Sequence, residues 1–268
     1  MHDISSHTFF FTAFFESFLA REDEDTAPLR LKYEHSLRVF DHCKRLAASA
    51  EFTAATERLP LSLYLLKRAM LLAALYHDVA RFPQFCRWRT FRDSDSINHG
   101  RFGVKILKSE AALKEESPEL RRLVYSALVL HNRYRLPLKL PPEIRLIADA
   151  VRDADKLDIC RVFATHLASG ETPSSAVLLS VKDDPDLYTP KVLEDALARR
   201  VPSYADLRSV NDFRILLGAW QYDLRFAFSL GCLARQGHLQ QLLEDLPPSP
   251  IFHPVRAQLL ADLNSAAS

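Results

Sequence analysis

Residues 65–79 read Leu65-Leu66-Lys67-Arg68-Ala69-Met70-Leu71-Leu72-Ala73-Ala74-Leu75-Tyr76-His77-Asp78-Val79. Leu66, Ala69, Met70 and Ala73 recur at the three- and four-residue spacing of one helical face, and His77 falls on the same stripe. The segment is apolar almost all round, which describes a helix inside a core. A histidine and a carboxylate entering that core together are costly unless something pairs them. A divalent cation would satisfy both, since imidazole and carboxylate are ordinary ligands for one. The alternative is a His–Asp pair hydrogen-bonded at the end of the helix.

The same spacing recurs outward from this segment. Ile144, Ile147, Ala148 and Val151 mark another helical face. Prolines at 28, 60, 83, 118, 137–142, 185, 190, 202 and 247–250 fall between such stretches, where they read as helix starts and connectors. The pattern predicts helices near 8–20, 30–50, 61–79, 99–108, 117–131, 142–168, 190–200, 210–235, 238–246 and 254–264. The two long connections are 80–98 and 170–189. The expected fold is all-α, a single domain over 1–268.

Bulk properties narrow the function. With 35 basic and 34 acidic side chains the net charge is +1, so no global field argues for a nucleic-acid partner. No apolar stretch approaches the roughly 20 residues that span a bilayer, and no membrane partner is expected. The aromatic run Phe9–Phe15 has no basic residues before it and is followed by Glu16, which describes an amphipathic helix rather than a secretory leader. The cysteines at 43, 86, 160 and 232 form no C-x-x-C pair, which fits a reducing cytoplasm. Only six glycines are present and none builds a Gly-rich loop, which counts against P-loop and dinucleotide folds.

Two more polar groups lie on core-side faces. His35 shares a face with Leu31, Val39, His42 and Leu46, and Asp155 lies one turn beyond Val151. Asp149 and Asp153 point to the other side of that helix and read as solvated charge. Asp158 shares Asp155's face and is a candidate for orienting a ligating imidazole.

The order His35, His77-Asp78, Asp155 resembles the HD-domain superfamily of metal-dependent phosphohydrolases. The flanking Ala73-Ala74-Leu75-Tyr76-His77-Asp78-Val79-Ala80-Arg81 and Ala154-Asp155-Lys156-Leu157 strengthen the resemblance. It covers about 30–165 and implies an HD-domain helical bundle with the ligands converging at its centre. A C-terminal helical extension follows over about 170–268. His99, opening Asn98-His99-Gly100-Arg101, and His131, ending the apolar run from Val124, resemble the extra histidines with which some branches hold a second metal. The resemblance then implies a binuclear centre with Asp78 as the bridge. The plainer reading makes His99 a helix cap and His131 a core or substrate-binding histidine. His2, His7, His166, His238 and His253 lack comparable context.

The implied cofactor is one or two divalent transition-metal ions (Fe, Mn, Zn, Ni or Co), and the implied reaction is attack of metal-activated water on a small phosphate ester, a nucleotide among them. Arg81 and Arg38, each three residues after a candidate ligand, are expected to grip phosphate and assist catalysis beside Asp78. Asn132 and Arg133 are expected at the substrate. Arg87, Arg89 and Arg92 alternate with Phe85, Trp88 and Phe91, which reads as a phosphate-gripping rim or as a solvated loop pinned by its aromatics. Val79-Ala80-Arg81 departs from the acidic sequence that follows the dyad in guanosine-polyphosphate hydrolases. Rival functions are a diiron oxygenase of the same fold and a non-catalytic nucleotide-binding module. The C-terminal helices, with Asp223 a distant candidate for substrate contact, are read as a pocket wall or a homodimer face.

Overall fold

In the computed structural model of the chain, residues 4–22, 26–168 and 181–267 are described. His2 and the 170–180 part of the expected connection lie outside them. Among the described residues the structure is all-α, with no strand; an isolated parallel bridge joins Lys182 to Ser209. Nor is any described helix long and apolar enough to cross a membrane. The chain divides into two compact units, Met1–Asp155 and Lys156–Ser268. This division and the expected core limit near 165 fall within one long helix.

The first unit holds α1 (Ser5–Leu19), α2 (Ala27–Ala47), α3 (Ala50–Thr56), α4 (Leu63–Tyr76), α5 (Arg81–Trp88), α6 (His99–Ser109), α7 (Pro118–His131) and most of α8 (Pro142–Ala168). Side-chain oxygens set several starts. Ser49, Ser62, Asn98 and Ser117 accept from the backbone N–H groups of Phe52, Leu65, Arg101 and Leu120, at 3.1, 3.2, 2.9 and 3.2 Å. Each satisfies a donor that the first helical turn leaves open.

Ser49 also explains one departure from expectation. The predicted helix 30–50 ends at Ala47, because Ser49 turns extended (ψ 150°) and caps a further helix, α3, which the sequence reading did not place. A second departure is α5, which lies inside the predicted connection 80–98. Pro83 is the third residue of α5, in the first turn, where its missing N–H has no helical partner to lose. Phe82 and Phe85 are buried on that helix.

Helices α2 and α7 pack on α4, α6 packs on α7, and α1 packs on α4 and α5. The centre of the unit is therefore α4, whose Leu66, Met70, Leu72 and Leu75 are fully buried. Each such side chain contributes about 1.5–3 kcal/mol of burial. Close approach of α6 to α7 depends on Gly100, where a Cβ would stand 2.3 Å from the Leu128 carbonyl oxygen.

The second unit contains α9 (Pro190–Leu197), α10 (Val210–Ala219), α11 (Ala227–Gln236), α12 (His238–Glu244) and α13 (His253–Ala267) around an apolar core that includes Phe213, Leu216, Leu243, Phe252 and Leu259. The predicted helix 210–235 is interrupted by a tight 3-10 turn over Trp220–Tyr222, with Phe226 extended before α11. No glycine or proline marks that break (Gly218 lies inside α10). Packing of Trp220 and Phe226 into buried positions decides it. Asp223 pairs with Lys156 at 2.9 Å, a local ion pair within this unit.

Candidate metal centre

Five helices or helix ends deliver polar groups to one place in the first unit. His35 comes from α2, His77 and Asp78 from the end of α4, His99 from the start of α6, His131 from the end of α7 and Asp155 from α8. The first five are at most 5% exposed. They form two groups, His35–His77–Asp155 and Asp78–His99–His131, within each of which the ligand atoms lie within 4.8 Å of one another.

In the first group His35 Nε2 is 3.0 Å from Asp155 Oδ1 and 3.2 Å from His77 Nε2. In the second, His99 Nε2 is 2.9 Å from His131 Nε2. Asp78 lies between the groups. Its Oδ2 is 3.8 and 3.7 Å from the Nε2 atoms of His35 and His77, and its Oδ1 is 3.5 and 3.9 Å from those of His99 and His131.

Hydrogen bonds on the far side of each ring decide which nitrogen is open. His77 Nδ1 donates to the Ala74 carbonyl at 2.8 Å and His131 Nδ1 to the Leu128 carbonyl at 2.7 Å. His99 Nδ1 donates to the Asp93 carboxylate, at 2.8 and 2.7 Å from its two oxygens. Carbonyls and carboxylates only accept, so these three rings carry the proton on Nδ1. Burial lowers the pKa of His77 and His99 and brings His131 down to about 3. The rings are therefore neutral, with a lone pair on Nε2.

Two such lone pairs, on His99 and His131, face each other at 2.9 Å. Neither nitrogen has a proton to offer the other, so the two facing lone pairs suit a shared cation. The donor set fits a divalent ion: neutral imidazoles fixed by hydrogen bonds on their outer nitrogen, with carboxylates beside them.

Around the ligands runs a polar frame. Burial alone would raise the Asp78 carboxyl, but Lys32 first, then Arg81, His77 and His99 hold it well below the usual carboxylate range. Lys32 Nζ donates to Asp78 Oδ2 at 2.8 Å, and Arg81 Nε to Oδ1 at 3.2 Å. For Asp155 the opposing pull comes from His35 and His77, which likewise keep the carboxyl low against its burial. Asp93 is the frame's hub, accepting from His99 Nδ1, Arg81 Nη1 (3.2 Å), Gln84 Nε2 (3.2 Å) and Asn132 Nδ2 (3.0 Å). Burial raises its carboxyl too, yet these donors, His99 foremost, bring it down to about 2.

Several expected residues take different places. Arg81 Nη1 also donates to Gln84 Oε1 and to the Phe91 carbonyl, so the guanidinium braces the loop before α6. Arg38 pairs with Glu34 along the surface of α2 at 3.2 Å. Asn132 fixes Asp93, and Arg133 is exposed, its carbonyl held by Arg152. Of the expected rim, Arg87 lies over Trp88, Arg89 pairs with Glu22 and Arg92 with Asp95. Asp153 is not solvated: it is fully buried in α8, because that helix is covered on more than one side. Asp158 accepts from Arg161 at 2.7 Å, and the carboxylate on a candidate ligand imidazole is Asp93.

Sequence reasoning missed Lys32 and Asp93. Lys32 lies three residues before His35, a same-face spacing that gave a usable signal. Asp93 lies in a loop, where no periodicity points to it.

A scan against family models matches the HD domain over residues 33–160, a span that contains all six candidate ligands and Asp93. Residues 33–160 are an HD domain. HD domains are in general metal-dependent phosphohydrolases. No curated protein and no solved structure matches the chain. Within the HD domain, the two buried His/Asp groups can hold metal ions.

Proposed function

We propose that this protein is a metal-dependent phosphoric ester hydrolase with a binuclear centre bridged by Asp78, acting on a small phosphorylated substrate such as a nucleotide. The observation that carries the reading is the position of Asp78. One carboxylate oxygen faces the His35–His77–Asp155 group and the other faces His99 and His131. A bridging carboxylate between two ions needs this arrangement.

The residues divide the work. His35, His77 and Asp155 would hold one ion and His99 and His131 the other. The Ala74 and Leu128 carbonyls and Asp93 keep three of the rings in the ligating tautomer. The chemistry that such ions would supply when bound is neutralisation of negative charge on a phosphoryl oxygen and acidification of the attacking water. Charge at the site supports an anionic substrate. The three carboxylates Asp78, Asp93 and Asp155 and the two cations Lys32 and Arg81 give a formal total of one negative charge, which divalent ions would turn positive.

The test is metal analysis of the purified protein combined with a panel of phosphomonoesters and phosphodiesters. Asp78→Ala is expected to lose both metal and turnover; turnover retained in that variant would sink the reading. Iron with oxygen uptake would replace it with the oxygenase chemistry, and tight nucleotide binding without turnover would replace it with a binding module.

A further inference from the structure

In the reading above Lys32 counts only as a positive charge, yet its ammonium makes the shortest hydrogen bond to the Asp78 carboxylate. Two cations touch that carboxylate, and they are held differently. Arg81 is fixed by further bonds to Gln84, the Phe91 carbonyl and Asp93. Among the described residues Lys32 Nζ has Asp78 as its one hydrogen-bond acceptor and otherwise lies 5.4 Å from the centre of the Phe91 ring. Its side chain is 18% exposed against 12% for Arg81, and its four-carbon stem can swing. The oxygen that Lys32 occupies, Oδ2, is the one that faces His35 and His77.

We infer that Lys32 is a placeholder cation: it neutralises Asp78 while the site is ion-free, and it opposes binding of a divalent ion at His35, His77 and Asp155. The reasoning is electrostatic. A buried carboxylate without a counter-charge is costly, so an ion-free site needs a cation of its own. The same ammonium then repels an incoming ion at short range in a medium of low dielectric. Lys32 thereby sets the concentration of metal at which the site fills, and leaves Asp78 when it does. The inference rests on the metal-centre reading.

Lys32→Gln separates charge from shape, since glutamine can still donate to Oδ2 but carries no charge. Binding of Mn²⁺ to the chelator-stripped protein is measured by titration calorimetry. Unfolding of the stripped protein is followed in parallel. Lys32→Gln is expected to bind Mn²⁺ about tenfold more tightly at the first site and to unfold more easily when stripped. Lys32→Arg, which keeps the charge, is expected to bind as the wild type does. Equal or weaker binding by Lys32→Gln, with the fold intact by circular dichroism, overturns the inference and leaves the metal centre standing. Binding by neither the wild type nor Lys32→Gln overturns both.

Discussion

Adding one methyl group at Gly100 tests whether the packing of α6 on α7 builds the second ion site. A Cβ there would stand 2.3 Å from the Leu128 carbonyl oxygen and 3.2 Å from Asn132 Oδ1. Real Cβ contacts essentially never fall under 3.0 Å, so the helices must separate by 0.7 Å or the carbonyl must turn. That carbonyl is the acceptor for His131 Nδ1, and His99 precedes Gly100 in the chain. One methyl therefore disturbs both imidazoles. Metal sites tolerate displacements of only about 0.2–0.5 Å. Alanine should gain about 1 kcal/mol in helix propensity. Overpacking costs about 1–3 kcal/mol, and the strained His131 bond about 1 kcal/mol more. Gly100→Ala is thus expected to be destabilised by about 1–3 kcal/mol net and, under the binuclear proposal, to hold one ion in place of two. Urea unfolding and elemental analysis read the two effects. Gly103→Ala is the control, because its Cβ would meet only side chains, at 3.4 Å and beyond. A Gly100→Ala protein as stable as the control and with full metal content would refute the reasoning.

Asp93→Ala removes the acceptor that holds His99 Nδ1 and should weaken the second ion by about 10–100-fold, leaving the first in place; loss of both ions together would count against two separable groups. Ion-free stability should depend on pH through the buried imidazoles. His131 titrates near 3 when folded and near 6.5 as the ordinary value. Between these limits the unfolded chain takes up a proton that the folded chain refuses, so stability falls as pH drops from about 6.5 towards 3. A thermal midpoint measured in chelator that stays flat from pH 7 to pH 4 would contradict this.

Much of the fold was readable because the helices of the first unit are amphipathic and capped. The predicted 99–108, 117–131 and 142–168 match α6, α7 and α8 closely, with Asn98 and Ser117 acting as caps. Where the reading failed, the deciding force was not local. Helix α5 forms inside an expected loop because Phe82 and Phe85 find burial, and the break after Ala219 follows tertiary packing rather than a breaker residue. The six candidate ligands were legible for a different reason: a histidine or aspartate on an apolar stripe demands an explanation. Charged residues near them were harder to sort. A long arginine or lysine can reach several targets, so spacing put Arg38 at the site, although it pairs with Glu34 along the surface of α2, and overlooked Lys32, which touches Asp78.

His77 and His131 share a construction whose effect reaches beyond geometry. Each stands at the end of its helix and donates Nδ1–H to the carbonyl three residues earlier, Ala74 or Leu128. Those carbonyls belong to the last turn, where a helix leaves acceptors for water. The proton that would otherwise block a ligating nitrogen is thus parked on the backbone. Replacing the side chain of Ala74 or Leu128 leaves that acceptor in place, so these two candidate ligands keep their readiness unless the turn itself is displaced, as a methyl at Gly100 would do.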